Sequence, residues 1–243
     1  MNLKLTIEYD GTDFYGWQVQ SEFRTVQGDL MKAIKRLMPN AEFRLIGASR
    51  TDRGVHAEGQ VANLLIENLR FKTIEEFHNA LNHVLPPDIY VRKIERVDDS
   101  FHARFSAKSK VYRYRILPER RSPLRRRFVW EYPYSFDRGL LFALPRHFVG
   151  EHDFKFLAVA GEERTTVCRI LRAEWKIVDD EVHFEIEGNR FLYKMVRALV
   201  GLMMRIASGR EPSDAIRLAL LGKQKPKLWF APPHGLTLVE VRY

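Results

Sequence analysis

The chain has a single cysteine, Cys168. No disulfide can form within it, and no cysteine-rich zinc cluster can be assembled. Cys168 lies in a mixed apolar stretch, which suits packing better than nucleophilic chemistry. The eight histidines form no HExxH or HxxxH pair on a helical face, so no metal site is expected. A glycine-rich phosphate loop of the form G-x-x-x-x-G-K-[ST] is missing, as is the G-x-S-x-G turn that presents a nucleophilic serine. No apolar run approaches the roughly 20 residues that span a bilayer. The opening Met1-Asn2-Leu3-Lys4-Leu5 already alternates like a strand, without the charged and apolar regions of a secretory signal. Low-complexity linkers and short repeats are also lacking. These absences leave a cytoplasmic protein, with no membrane association, as the simple expectation.

What the chain does have is concentrated positive charge. Its 243 residues carry 40 Lys/Arg against 31 Asp/Glu, a net charge of +9. Residues 101–127 hold ten of those bases and one acid, Glu119, while the rest of the chain is balanced. Charge gathered in one segment creates a local field that attracts polyanions. Phe101, Phe105, Tyr112 and Tyr114 interleave with the bases and offer rings on which nucleobases can stack. The block at 120–127 is read either as a source of further phosphate contacts or as a solvated loop. The bases are not arranged on an amphipathic helix, which disfavours a membrane surface.

With 45% hydrophobic residues the chain can bury a core of one large domain or two small ones. Leu3, Leu5, Ile7 and Tyr9 alternate with polar residues and predict a half-buried strand. Thr25 caps a helix over 26–38. Strands follow at 42–48 and 59–66, on either side of a polar loop. Thr73-Ile74-Glu75-Glu76 reads as a capping box for a helix to residue 84, and a strand follows at 89–97. This β-α-β-β-α-β order is that of ferredoxin-like folds. In the second half, strands are predicted at 110–117, 127–132, 170–178, 181–187 and 236–242, and helices at 138–144, 191–208 and 214–221. Similar element content in the two halves suggests a duplicated α+β unit. The expected architecture is therefore α+β. Two ferredoxin-like halves, residues 1–105 and 106–243, pack into a largely antiparallel sheet with helices on one face and an RNA-binding cleft between the halves.

One loop stands out chemically. Ser49-Arg50-Thr51-Asp52-Arg53-Gly54-Val55-His56 joins two predicted strands and sets one acid between two arginines. Neighbouring positive charge favours the ionised carboxylate, which suits a nucleophile or a base. Local chemistry alone favours the plainer reading, a surface turn with an Arg–Asp ion pair worth under about 1 kcal/mol. His56 is read either as an acid/base partner for Asp52 or as a structural hydrogen-bonding group.

The loop resembles the R-T-D-x-G-V-H-A motif that surrounds the catalytic aspartate of TruA-type tRNA pseudouridine synthases. Further segments resemble that family in the same order: Leu5–Thr12 with Phe14, Gly16, Trp17 and Gln18; Thr25–Gly28; Phe101–Ala107 with Lys110–Tyr114; Gly188–Arg197; and Ala231–Leu236. They are spread over nearly the whole chain. Ser49 stands where the family usually has Gly, and Arg53 where it often has Ala. Residues 157–163 and 222–230 match poorly.

The resemblance implies that uracil is detached from its ribose, rotated and rejoined through C5, with no cofactor. It implies a catalytic set of Asp52, Tyr112 and Arg197. Tyr112 would stack on the flipped base, and Arg197 would pair with the carboxylate; a boundary arginine reaching solvent is the alternative for Arg197. Arg50, Arg53, His56, Phe101, His102, Arg104, Phe105, Lys110 and Arg113 are the expected RNA contacts. The implied substrate is uridine in the tRNA anticodon stem-loop, and the implied assembly is a homodimer. Two other classes compete. A non-catalytic RNA-binding or chaperone protein explains the basic segment but not the Asp52, Tyr112 and Arg197 set. An Asp-dependent glycoside hydrolase lacks a paired general acid.

Overall fold

The computed structural model describes residues 1–161 and 165–243. The chain forms two compact units: Met1–Lys108 joined by Leu238–Tyr243, and Ser109–Thr237. The last six residues thus belong with the first unit.

In the first unit the elements run β1 (Asn2–Tyr9), α1 (Val26–Leu37), β2 (Phe43–Gly47), β3 (His56–Ile66), α2 (Ile74–Val84) and β4 (Ile89–Val97). β1 pairs antiparallel with both β3 and β4, and β2 pairs antiparallel with β3. The resulting order, β4-β1-β3-β2, is the ferredoxin-like one that the element sequence predicts. The terminal strand β10 (Leu236–Arg242) also pairs with β3. Alternation works as expected: Leu3, Leu5 and Ile7 are fully buried, as are Leu30, Ile34, Phe77 and Leu81 of the two helices. Lys4 and Thr6 face the other way and are half-buried, while Glu8 is exposed.

The helix starts follow from their caps. Thr25 Oγ1 accepts from the Gly28 amide, and Thr73 Oγ1 from the Glu76 amide. Glu76 closes its box one residue early, accepting from the Lys72 amide at 3.0 Å. β3 begins at His56, earlier than the predicted 59, because a bulge between Ile7 and Tyr9 carries the ladder to Ala57.

The second unit contains β5 (Ser109–Pro118), β6 (Trp130–Tyr132), α3 (Arg138–Ala143), β7 (Gly150–Asp153), β8 (Val167–Val178), β9 (Glu181–Gly188), α4 (Met195–Ala207) and α5 (Ala215–Leu220). Its strands are ordered β5-β9-β8-β7, all antiparallel, and the short β6 runs parallel to β5. The order of β5, α3, the β8–β9 hairpin and α4 repeats the strand–helix–hairpin–helix order of the first unit. Asp179 turns the hairpin at φ 54°.

α3 is capped by Asp137, which accepts from the Leu140 amide, and Pro145 sits in the 3-10 turn that follows it. α4 starts at Met195, later than the predicted 191, because Lys194 takes a left-handed conformation at φ 57°. The stretch 222–230 packs along α4: a Cβ on Gly201 would lie 1.9 Å from the Trp229 carbonyl oxygen. Of the poorly matching segment 157–163, residues 162 and 163 lie outside the described residues. Among the described residues, no helix is long and apolar enough to cross a membrane.

Candidate active site

The loop between β2 and β3 is built by contacts to the segment just after β1. Thr51 is buried, and its hydroxyl hydrogen-bonds to the Tyr9 hydroxyl at 2.7 Å. The Trp17 amide donates to the Thr51 carbonyl, and the Gly54 amide to the Phe14 carbonyl. The two backbones run so close that side chains do not fit between them. A Cβ on Gly11 would lie 2.0 Å from the Val55 carbonyl oxygen, and one on Gly16 would lie 2.4 Å from that of Thr51. Gly54 completes the turn at φ 78°, where a side chain would be strained. The start of the loop is held by Gln60, which exchanges hydrogen bonds with the Ser49 backbone.

This packing leaves Asp52 half-buried, with Arg50 and Arg53 exposed on either side. The guanidinium of Arg53 lies 4.2 Å from the centroid of the Tyr15 ring. His56 is only 3% exposed. Its Nδ1 accepts from the Gly11 amide at 3.0 Å and lies 3.2 Å from Asp10 Oδ1. It therefore ties the loop to the segment after β1.

The segment 101–107 of the same unit is also a built loop. Asn2 donates to the carbonyls of Asp98 and Phe101, Asn63 Oδ1 accepts from the Ala103 amide, and the Tyr243 hydroxyl donates to the Ala103 carbonyl. His102 Nδ1 accepts from the amides of Arg104 and Phe105. Its ring packs 4.4 Å from that of Phe105, which is 77% exposed. Arg104 is exposed, with its guanidinium 5.7 Å from the Phe105 centroid. Phe101 turns inward against Tyr243.

Tyr112 and Arg197 lie in the second unit. Tyr112 is 6% exposed on β5, edge-on to Phe191 at 5.1 Å. Arg197, half-buried on α4, donates from Nε to the Ala231 carbonyl, and the Ala231 amide donates back to the Arg197 carbonyl. Helix α4 is thereby clasped to the segment 231–235. Tyr114 is fully buried, and its hydroxyl donates to the Pro232 carbonyl. Burial pushes that phenol well above its ordinary range, against the opposing charge of Arg197. His234 is lowered by burial and by Arg197, against the raising effects of Glu131 and a hydrogen bond with the Val129 backbone.

The comparisons with known proteins agree with this arrangement of motifs. The family model described as tRNA pseudouridine synthase matches residues 5–106 and 145–243. A tRNA pseudouridine synthase A of Thermoanaerobacter sp. (strain X514) is 40% identical over 100% of this chain and 99% of its own. One from Bacillus pumilus is 38% identical, and one from Dictyoglomus turgidum 40%, each at the same two coverages. This chain belongs to the tRNA pseudouridine synthase family. A chain of a solved Cbf5-Nop10-Gar1 complex aligns over 83% of this chain and 44% of its own, at 12% identity and a TM-score of 0.36, too distant to bear on the fold.

Within this synthase the basic segment is less bare than its sequence suggests. Arg113 pairs with Glu185 across the β5–β9 ladder at 3.1 Å. Arg115 and Arg125 both bind Glu181, which is 4% exposed, and Arg120 and Arg125 bind Asp180. Burial raises the Glu181 carboxyl, but hydrogen bonds from Arg115 and His183 outweigh it and hold the group below its ordinary range. The β8–β9 hairpin thus sets three acids against four of the ten bases. Arg104, Lys108, Arg121, Arg126 and Arg127 stay exposed, and Lys110 is half-buried.

The expected residues of the synthase divide between the units. Arg50, Asp52, Arg53, His56, Phe101, His102, Arg104 and Phe105 lie in the first; Lys110, Tyr112, Arg113 and Arg197 lie in the second. Sequence reasoning missed the residues that shape the Asp52 loop: Tyr9, Gln27 and Gln60. Gln27 donates to the Leu45 carbonyl and accepts from the Val19 amide, joining β2 to the segment after Trp17. Gly11, Gly16 and Gly47 were the available signal. A Cβ on Gly47 would lie 2.3 Å from the Trp17 indole nitrogen, so each of the three marks a close approach.

Proposed function

We propose that this chain isomerises uridine to pseudouridine in the anticodon stem-loop of tRNA, with Asp52 as the catalytic carboxylate. The observation that carries this reading is the clamped loop. In a member of this family, it presents a half-buried carboxylate between two exposed arginines. The N1–C1′ bond breaks, the uracil turns, and a C5–C1′ bond forms. The C5 hydrogen is released to solvent and N1 takes a proton, so the change is an isomerisation needing no redox partner. Asp52 serves by attack on C1′, by attack on C6, or by assisting formation of a glycal.

The substrate base leaves its stack to reach Asp52, at a cost of roughly a few kcal/mol. Arg50, Arg53, Arg104 and Lys110 offset that cost through backbone phosphates, and the exposed Phe105 supplies a stacking surface. Tyr112 and Arg197 are the further members of the proposed catalytic set. His56, tied to Gly11, positions the loop, and Arg113, held by Glu185, orders β5. The enzyme works in the cytoplasm as a homodimer, whose mass light scattering after size exclusion would report.

The test uses unmodified tRNA carrying tritium at uridine C5. The wild-type protein is expected to release the label, and Asp52→Ala to release none while still binding the tRNA. No release from any tRNA by the wild-type protein would leave the non-catalytic RNA-binding reading in its place.

A further inference from the structure

Beside Asp52 stands a three-layer stack that the loop's own architecture does not require. The rings of Tyr15 and Phe23 stack with centroids 4.1 Å apart and planes 12° from parallel. The Arg53 guanidinium lies 4.2 Å from the Tyr15 centroid. Since Phe23 fills one face of Tyr15, Arg53 must occupy the other. Phe23 is 43% exposed and Arg53 is exposed, so the stack stands at the surface.

Both sides of the stack are fixed through the backbone. The Tyr15 amide donates to the Arg24 carbonyl, and the Tyr15 carbonyl accepts from the Gln20 side chain. A Cβ on Gly16 would lie 3.3 Å from the Arg53 amide nitrogen, so the two loops touch at this point.

Arg24 shows what such a stack looks like when its purpose is structural. Its guanidinium lies 4.1 Å from the Phe14 centroid, and its edge is filled by acids: two hydrogen bonds to Asp88 and one to Asp29, each at 2.8 Å. Arg53 lies over its ring at nearly the same distance, yet no carboxylate among the described residues pairs with it. A guanidinium stacked by its face keeps its planar edge of N–H donors for an anion, and that edge matches a phosphate group. Holding the side chain beforehand removes part of the ordering cost of binding.

We infer that Arg53, held over Tyr15 and Phe23, is a pre-oriented clamp for a backbone phosphate of the RNA next to the nucleotide that enters at Asp52. The inference rests on the proposed tRNA reading. It adds Tyr15 and Phe23 as positioning residues, neither of which touches the reacting atoms.

The test measures tritium release and tRNA binding for the full chain and its variants across a salt series. Arg53→Ala is expected to raise KM about tenfold with kcat nearly unchanged, as loss of one charged hydrogen-bonding contact does. It should also flatten the slope of log affinity against log salt by about 0.7–0.9, the share of one phosphate. Tyr15→Leu keeps the charge but removes the seat, so KM rises while the slope holds. Tyr15→Phe keeps the ring and restores the wild-type KM. An unchanged KM and slope in Arg53→Ala would overturn the clamp. So would a Tyr15→Phe variant as impaired as Tyr15→Leu, or a lowered melting midpoint in Arg53→Ala. A wild-type protein that releases no label defeats the tRNA reading itself, a result distinct from an active enzyme indifferent to Arg53.

Discussion

The imidazole of His56 receives the backbone N–H of Gly11 at 3.0 Å, and this bond spans two loops that lie 45 residues apart in sequence. The bond also keeps Gly11 against Val55, where no Cβ fits. Asp52 is thus placed by backbone contact to the segment after β1 as much as by its own loop.

Gly11→Ala should damage both the fold and the reaction. The new methyl meets a backbone carbonyl, so one loop must move. Overpacking of this kind costs about 1–3 kcal/mol, which in a chain of this size lowers the melting midpoint by roughly 2–10 °C. Turnover in the tritium assay should fall by at least about tenfold, since small displacements of a reacting group are costly. Calorimetry and the release assay check the two effects separately.

Neutralised and exposed bases of the second unit should behave differently. Arg121→Ala and Arg126→Ala are each expected to flatten the salt dependence of tRNA binding, by about 0.7–0.9 per phosphate lost, and to leave the melting midpoint in place. Arg115→Ala should leave the salt slope alone and lower the midpoint, because it strips a hydrogen-bonding partner from the nearly buried Glu181. Equal effects on the salt slope from all three variants would contradict the charge pairing described for the β8–β9 hairpin.

Tyr112→Phe isolates the hydroxyl from the ring. The edge-on contact with Phe191 survives the change, so the packing of the ring should hold. If the hydroxyl assists proton transfer, kcat falls by about 10²-fold or more. Tyr112→Ala should additionally lower the melting midpoint, because a nearly buried ring is lost from β5.

The pH dependence of unfolding should carry a mark of Glu181. Its carboxyl is held below the ordinary range in the folded chain. The stability it contributes is therefore complete above the unfolded value, about 4.3, and is lost as the pH falls through the lower folded value. Glu181→Gln should reduce the acid slope of the melting midpoint in that window and lower the midpoint at neutral pH. An acid limb identical to that of the wild type would show that the Arg115, Arg125 and His183 contacts do not persist in solution.

Much of the fold was legible because it rests on short-range signals. Period-two alternation located β1, and the caps Thr25, Thr73 and Asp137 located α1, α2 and α3. β7 was not legible: Gly150-Glu151-His152-Asp153 is short and polar, and becomes a strand only by pairing with β8. The apolar pattern runs past the true start of α4, because nothing local announces that Lys194 turns left-handed. Asp52 was found through its motif, whereas the groups that hold its loop are distant in sequence. The basic segment shows the same limit. Asp180, Glu181 and Glu185 reach it through a hairpin, so the charge of a stretch of sequence overstated the charge of a surface.

Residues 238–243 belong to the first unit, and the whole of Ser109–Thr237 lies between them and the rest of it. On the ribosome, β3 must therefore wait for its β10 neighbour until the second unit has been synthesised. During that interval the part of its edge that β2 does not cover is left open to pairing with another nascent chain. The order of translation thus makes the folding of the Asp52-bearing sheet depend on the timely completion of everything that follows it.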